Sequence, residues 1–397
     1  MNLARKLTSS ASHFISLGLG LACLNCAPAP TNAALSPAAP VAAQRASLNE
    51  DAALAVAPLH KAYMEYFPVG AAVEPYALKD QGKTLAHHFN RLTCENSMKL
   101  GPLLPREGAY QFTAADQIAE FARRNGMLMT GHALVWHQMY PAWWFRDGDG
   151  AASPAVLTRR LQQHTRTVME RYADVVDNWD VVNEGVSDKP SQLYRDEQEG
   201  SKWYGAYQGG SYIEVAFKLA EQAAREVDPT TKLYYNDYNV EKPEKRRKII
   251  QLVRELRAKG ARVDGVGTQA HWNLEWPTIA EIRATIDELA QENLLIKVSE
   301  LDISVYSKDD WDTKIWEREI PYTPELGARL AKRYAEIFAL FREKAQHITS
   351  VTFWGVSDDR TWLNGWPIGR KNYPLLFDRQ RAPKAAFHSV IDFKAAP

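Results

Sequence analysis

The 397-residue sequence has only three cysteines, no excess of charge of either sign, and no apolar run long enough to span a membrane as a stable helix. Cys23 and Cys26 lie close to the N-terminus, which leaves Cys94 alone in the body of the chain. A lone thiol forms no internal disulfide, so stability has to come from a packed core. Lys+Arg 48 against Asp+Glu 48 gives no electrostatic reason to expect a nucleic-acid partner. The one local basic run, Lys242 to Lys248, contains Pro243 and Glu244 and continues into Ile249, Ile250, Val253 and Leu256 at helical spacing, so it reads as the solvated face of a helix. Several chemical signatures are missing as well. Gly265-Val-Gly267 lacks the third glycine of a dinucleotide-binding turn. There is no Gly-x-Ser-x-Gly elbow, and Cys94, beside Glu95, lacks the electropositive setting that favours a thiolate nucleophile. His132, His137, His271 and the pair His87-His88 show no tight ligand grouping, so no metal and no cofactor is expected.

The N-terminus has the layout of an export signal: Arg5 and Lys6, an apolar stretch from about Phe14 to Leu24, then small residues suited to peptidase cleavage. Residues 1–33 are read as this signal and 34–50, rich in alanine and proline, as a disordered tether. The expected location is therefore periplasmic or secreted, with no transmembrane helix in the mature chain. Lipid attachment through Cys23 or Cys26 is the alternative, but Gly-Leu-Ala-Cys lacks the branched apolar residue three before the cysteine that a lipoprotein signal carries.

What is abundant is apolar surface, 45% hydrophobic and 11% aromatic residues, enough for a large core. Short β-branched or apolar runs alternate with amphipathic stretches, the pattern of parallel βα units. The strand candidates are residues 66–73, 91–95, 127–136, 175–184, 232–239, 265–272, 294–303 and 348–357. Between them the helix candidates are 115–125, 154–172, 211–227, 243–259, 279–292 and 324–345, several opened by Pro, Ser or Thr and two closed at Gly126 and Gly260. Eight units over this length predict an α/β fold, a (β/α)8 TIM barrel forming one catalytic domain over 51–397. A doubly wound open sheet, the alternative, usually has fewer strands and needs the glycine turn that is absent.

A barrel collects its chemistry at the C-terminal ends of its strands. Seven of the candidates end in polar or aromatic residues: Glu95-Asn96, Trp136-His137, Asn183-Glu184, Asn236 to Asn239, Gln269 to Trp272, Glu300 to Asp302, and Trp354 followed by Ser357 to Asp359. Seven together predict a lined cavity. Glu184 at the fourth strand and Glu300 at the seventh face one another across a closed mouth. Two carboxyls flanking a bond are what glycoside hydrolysis requires, and a narrow mouth predicts the ~5–5.5 Å separation of a retaining mechanism. Glu300 and Asp302 lie two apart, as do Gln269 and His271, so each pair is expected to share a strand face. His271 can then bridge the two carboxylates and hold Glu300 ionised, while Asp302 has the alternative of an interior ion pair or a helix cap. Asn183 and Glu184 are adjacent and reach one cavity only if the strand loses regularity, for which Gly185 offers the means. Trp136, Trp354 and Trp362 at strand ends suit the apolar faces of sugar rings, whereas Trp143, Trp144, Trp179 and Trp203 are read as packing residues. Trp311 and Trp316 sit in an insertion after the seventh strand, with packing and an extra sugar contact equally open.

The stretches "LTCENSMK", "GHALVWH", "WDVVNEG", "YNDYN", "GVGTQAHW", "VSELDIS" and "TFWGVSDDRTWL" occur in the order and at the spacings of glycoside hydrolase family ten, and the sequence resembles the xylanases of that family from about Val56 to Ile391. The resemblance implies endo-acting hydrolysis of β-1,4-xylan or xylooligosaccharides with retention, Glu184 as general acid/base and Glu300 as nucleophile. It also implies that Glu95, Asn96, Lys99, His132, Trp136, Asn183, Gln269, His271, Trp354 and Trp362 line the sugar sites on the non-reducing side of the cleaved bond. Lys99 has the alternative of a surface lysine. Met139 stands where the family usually has an amide that helps shape the second sugar site, so binding there is expected to differ. The loop Ser187–Gly210 and the insertion Tyr306–Thr323 are expected to reshape the ends of the groove. A monomer acting on soluble chains is the expected working unit. A cellulase or mixed-linkage glucanase on the same barrel, and a non-catalytic glycan-binding protein, are the competing readings.

Overall fold

Runs of buried β-branched and small residues form eight parallel strands in the computed structural model, which describes residues 50–307 and 319–395. The export signal, the tether except for Glu50, and Trp311 and Trp316 lie outside the described residues. Among the described residues no helix is long and apolar enough to cross a membrane. The strands are β1 Val69–Val73, β2 Arg91–Cys94, β3 Leu128–Trp136, β4 Val176–Asn183, β5 Lys232–Asp237, β6 Gly265–Thr268, β7 Leu295–Ser304 and β8 Ile348–Phe353. Each pairs in parallel with the next, and β8 pairs with both β7 and β1, so the sheet closes into a barrel. Strands covered on both faces read as continuous buried runs rather than alternating ones, and β1 and β2 are buried at every position.

The helices of seven residues or more between them are α1 Pro75–His88, α2 Thr113–Arg124, α3 Pro154–Arg171, α4 Ser211–Val227, α5 Pro243–Ala258, α6 Ile279–Gln291 and α7 Pro324–Glu343, followed by α8 Ala385–Ile391. Their starts follow the sequence. Ser153 caps α3 through the amide of Val156, Thr323 caps α7 through that of Leu326, and Thr278 with Glu281 forms a reciprocal capping box on α6. Gly126 and Gly260 take φ of 63° and 76°, the left-handed conformation that ends α2 and α5. Two of these eight were not expected. α1 carries non-helical angles at Gln81, whose side chain is buried and accepts a hydrogen bond from Ser357 Oγ, so its apolar period is broken. α8 is only seven residues long.

Two expectations need correction. The basic run at the start of α5 is not a solvated face. Lys245 and Arg246 are buried, Lys245 Nζ donating to the Val186 carbonyl at 2.7 Å and Arg246 forming a bidentate pair with Glu288. Lys248 Nζ donates to the carbonyls of Ser187, Lys189 and Gln192. Lys245 and Lys248 pin the segment after β4 onto the barrel. The second correction concerns strand ends. Three of the expected strands run past the observed ones because a residue in the left-handed region stops them: Glu184 after β4, Ala270 after β6 and Asn239 after β5, at φ 57°, 61° and 58°. After Ala270 the chain resumes as a short strand, His271–Asn273, paired with β7.

The barrel interior is polar where it underlies the site. Lys297 on β7 and Asp180 on β4 form an ion pair at 2.8 Å, both side chains 1% exposed. Lys297 Nζ also donates to Asn178, and Asp180 accepts from His132 Nδ1 at 2.9 Å. Removing one member of such a pair strands the other charge in the interior. Lys297→Ala is therefore expected to lower unfolding free energy by ~3–5 kcal/mol in chemical denaturation. A loss below about 1 kcal/mol, the scale of a surface pair, would show that the pair is not part of the fold's foundation.

Candidate active site

The left-handed backbone at Glu184 solves the problem posed by two adjacent polar residues at one strand end. It is Glu184 itself that takes the left-handed conformation, not Gly185, so Asn183 and Glu184 both turn into the mouth of the barrel. Gly185 has a different role: a Cβ there would lie 2.9 Å from Ile213 Cδ1, so its absence lets α4 pack close behind the turn. Ala270 does the same service after β6. Gln269 and His271 reach the cavity from either side of that break rather than from one regular strand face.

Around Glu184 the donors converge. Trp136 Nε1 donates to Oε2 at 2.9 Å, while Gln269 Nε2 and Asn183 Nδ2 donate to Oε1 at 2.9 and 3.2 Å. The carbonyl of Glu184 accepts from Arg195 Nε at 2.9 Å. Trp136 is itself fixed, because the buried Trp203 donates Nε1–H to its carbonyl. Trp144, Trp179 and Trp203 are core residues, and Trp143 is half-buried with its indole N–H on the Leu104 carbonyl.

Glu300 lies across the mouth on β7. Oε1 accepts from Asn236 Nδ2 at 2.8 Å, and the same nitrogen donates to Asn183 Oδ1 at 2.9 Å. Asn183 and Asn236 thus link the two glutamates side chain to side chain. Ser299 Oγ donates to Asn236 Oδ1 and so fixes which way that amide points. On the other oxygen of Glu300, His271 Nε2 donates at 3.2 Å, and His271 Nδ1 donates to Asp302 Oδ2 at 2.9 Å. Asp302 Oδ2 also accepts from Trp362 Nε1 at 2.8 Å. Asp302 is therefore neither a helix cap nor part of the Lys297 pair.

The electrostatics follow from these contacts. Burial alone would push the Glu300 carboxyl up, but the His271 hydrogen bond and the charges of His132, His271 and Lys99 outweigh it, and the group sits below its ordinary value. Burial pulls His271 down, yet Asp302 and then Glu300 overcome that and push it up to about 10. At neutral pH the imidazole is a cation with both N–H groups in use.

Lys99 is a buried residue, not a surface one. Its Nζ donates to Asn96 Oδ1 at 3.0 Å and lies 4.3 Å from the centre of the Trp136 ring and 6.0 Å from that of Trp354. Burial lowers its pKa against the pull of Glu300, Glu184, Glu95 and Glu74. Burial, and then Glu74, raise the Glu95 carboxyl against the pull of Lys99. Glu74 also holds the loop after β2 by accepting from the amides of Asn96 and Ser97. Trp354, 7% exposed, packs edge-on against His132 and His271 and forms the floor. Met139 stands at the rim after β3, 39% exposed and with φ of 50°. Cys94 is buried, and burial raises its thiol well above the ordinary range, which keeps it protonated. His88 is a packing residue bonded to the backbone of Ala53 and Leu59.

The geometry brings all thirteen expected site residues to one end of the barrel and adds others. Asn236 is the link described above. His137 is buried with Nδ1 3.6 Å from Glu184 Oε2, and burial pushes it down to about 4, leaving it neutral. Arg195 grips the Glu184 carbonyl. Asn236 and His137 belonged to strand ends already marked as polar, but nothing in their spacing separated a site residue from a satisfied interior one.

His271 gives this arrangement a pH signature. Its folded pKa lies above the unfolded value of 6.5, so its contribution to stability is fully present below pH 6.5 and is lost as pH rises through about 10. The stability advantage of the unsubstituted protein over His271→Asn, followed by denaturant midpoints from pH 6 to 10.5, is expected to shrink across that window. A constant difference would show that the imidazole is not held as a cation.

Comparison with known proteins agrees with the geometry. The model of glycosyl hydrolase family 10 matches residues 58–393. Among curated relatives, endo-1,4-beta-xylanase B of Paenibacillus barcinonensis is 44% identical over 335 residues, covering 84% of this chain and 97% of its own. An endo-1,4-beta-xylanase of Geobacillus stearothermophilus is 42% identical over 338 residues, covering 84% and 98%. Among solved structures, xylanase XynB from Paenibacillus barcinonensis, complexed with a conduramine derivative, superposes with a TM-score of 0.79 at 43% identity over 85% of this chain and 98% of that one. The barrel, the paired glutamates and a match over nearly the whole described chain lead to one conclusion: this protein belongs to glycosyl hydrolase family 10.

Proposed function

We propose that the chain is a retaining endo-1,4-β-xylanase that cleaves internal β-1,4 bonds of xylan or xylooligosaccharides by double displacement, with Glu300 as nucleophile and Glu184 as general acid/base. The observation that carries this reading is the asymmetry between the two carboxyls. Glu300 has the half-buried His271 imidazolium on one oxygen and is held below its ordinary pKa, the state a nucleophile needs. Glu184 receives only neutral donors on its oxygens, from Trp136, Gln269 and Asn183. In the first step Glu300 attacks the anomeric carbon and the C–O bond breaks, the leaving oxygen taking the proton of Glu184. In the second, water attacks the glycosyl ester, giving its proton back to Glu184 and releasing Glu300 as a carboxylate.

Lys99, Asn96, Glu95 and the amides of Asn183 and Gln269 supply groups for sugar hydroxyls, with Trp136, Trp354 and Trp362 as the apolar walls. The N-terminal leader read from the sequence supports an exported enzyme, and xylan outside the cell is a polymer that such an enzyme would meet.

Two variants test the assignment. Glu184→Gln and Glu300→Gln are each expected to lower kcat on xylohexaose by at least 10²–10⁴-fold, the scale of removing a positioned acid or base. Azide added to small alanine variants should give the β-azide at position 184 and the α-azide at position 300. Hydrolysis persisting in both glutamine variants, or initial rates favouring cellooligosaccharides over xylooligosaccharides, would overturn the reading.

A further inference from the structure

Six large hydrophobic residues are exposed among the described residues, and Trp366, at 52%, is the one aromatic of these that exceeds half exposure. Its place matters more than its exposure. The Trp366 ring stacks on that of Trp362 with centroids 5.1 Å apart and planes 21° from parallel. Trp362 in turn packs 4.9 Å from His271 and donates to Asp302. The aromatic wall of the cleft therefore continues outward, ring on ring, from the carboxylate pair to the solvent.

The loop that presents Trp366 is built to hold it still. Gly365 N and Trp366 N both donate to the Trp362 carbonyl, at 3.0 and 3.2 Å, closing a tight turn. Asn364 locks that turn from below: Nδ2 donates to the Asp358 carbonyl at 2.8 Å, and Oδ1 accepts from Asn372 N at 3.0 Å and Arg379 Nη1 at 3.1 Å. Asp358 is itself fully buried and paired with Lys384 at 2.8 Å. A preorganised flat apolar surface binds without the ordering cost that a mobile side chain would incur.

Resting on the xylan reading of the cleft, we propose that Trp366 is a further sugar-binding position, a stacking platform for a pyranose ring of the bound chain lying beyond the ring that Trp362 covers. The chemistry is that of the rest of the wall. A pyranose presents an apolar face of C–H groups that fits an indole, and the occupant follows from continuity: a β-1,4 chain seated beside Trp362 passes the next plate as it leaves the cleft. Such a position adds affinity only for chains long enough to reach it.

The test compares chain lengths. In Trp366→Ala, kcat/KM for xylohexaose should fall roughly three- to tenfold further than for xylotriose, the range of an aromatic stacking contact, while Trp366→Phe, which keeps a plate, should recover most of the difference. Equal losses on both lengths would make Trp366 only a prop for Trp362, and no loss on either would show that the platform carries no sugar; both results overturn the proposal. If the unsubstituted protein cleaves no xylooligosaccharide, it is the activity reading that fails. Calorimetric titration of the unsubstituted and Trp366→Ala proteins with cellohexaose, cellotriose, xylohexaose and xylotriose then decides the platform by itself: an affinity loss confined to the hexaoses supports it, and the absence of such a loss overturns it.

Discussion

The site depends on one hydrogen bond, from the His271 imidazolium to Glu300. A carboxylate that is 4% exposed would be driven toward its neutral form by burial. Asp302 supplies the counter-charge that keeps His271 protonated, and Trp362 occupies the same oxygen of Asp302, so the charge sequence is anchored at its outer end by an indole that also walls the cleft. Beneath it, Asp180 and Lys297 provide a second balanced pair that holds His132. The barrel interior is thus a stack of compensated charges, and its uppermost negative member faces the mouth of the barrel.

The arrangement is achieved through departures from regular strand geometry. A strand alternates its side chains, and a regular β4 could not aim both Asn183 and Glu184 inward. The left-handed turn at Glu184 and its counterpart at Ala270 cost on the order of 1–2 kcal/mol each for residues with a Cβ, and the surrounding hydrogen bonds hold them in place. Arg195 takes the carbonyl of the turn, and Lys245 and Lys248 from α5 take the carbonyls that follow. Backbone strain at the mouth and the cations behind it belong to one design: the first places the carboxyl, and the second keeps the loop from relaxing.

Much of this was legible in the sequence. The alternation of apolar runs with capped amphipathic segments gave the eight strands, and polar strand ends marked the cavity, because a carboxylate or amide closing a buried run has few structural uses. Other features were hidden for physical reasons. The break in α1 at Gln81 removes the period by which a helix is recognised. Lys245 and Arg246 look solvated because helical spacing says which face a residue is on, but not that a loop or a neighbouring helix supplies partners there. Asn236 and His137 carry no distinguishing spacing, since a polar side chain inside a barrel strand can equally serve a neighbour or a substrate. The loss of strand regularity for which Gly185 offered the means takes the form of a left-handed turn one residue earlier, at Glu184.

In the proposed mechanism Glu300 is the carboxylate held ionised to form the covalent intermediate. Incubation with a xylobioside carrying fluorine at C2 and a good leaving group at C1 slows turnover of the glycosyl ester enough for peptide mapping by mass spectrometry. A single xylobiosyl adduct on Glu300 is expected. An adduct on Glu184, or on any other residue, would contradict it.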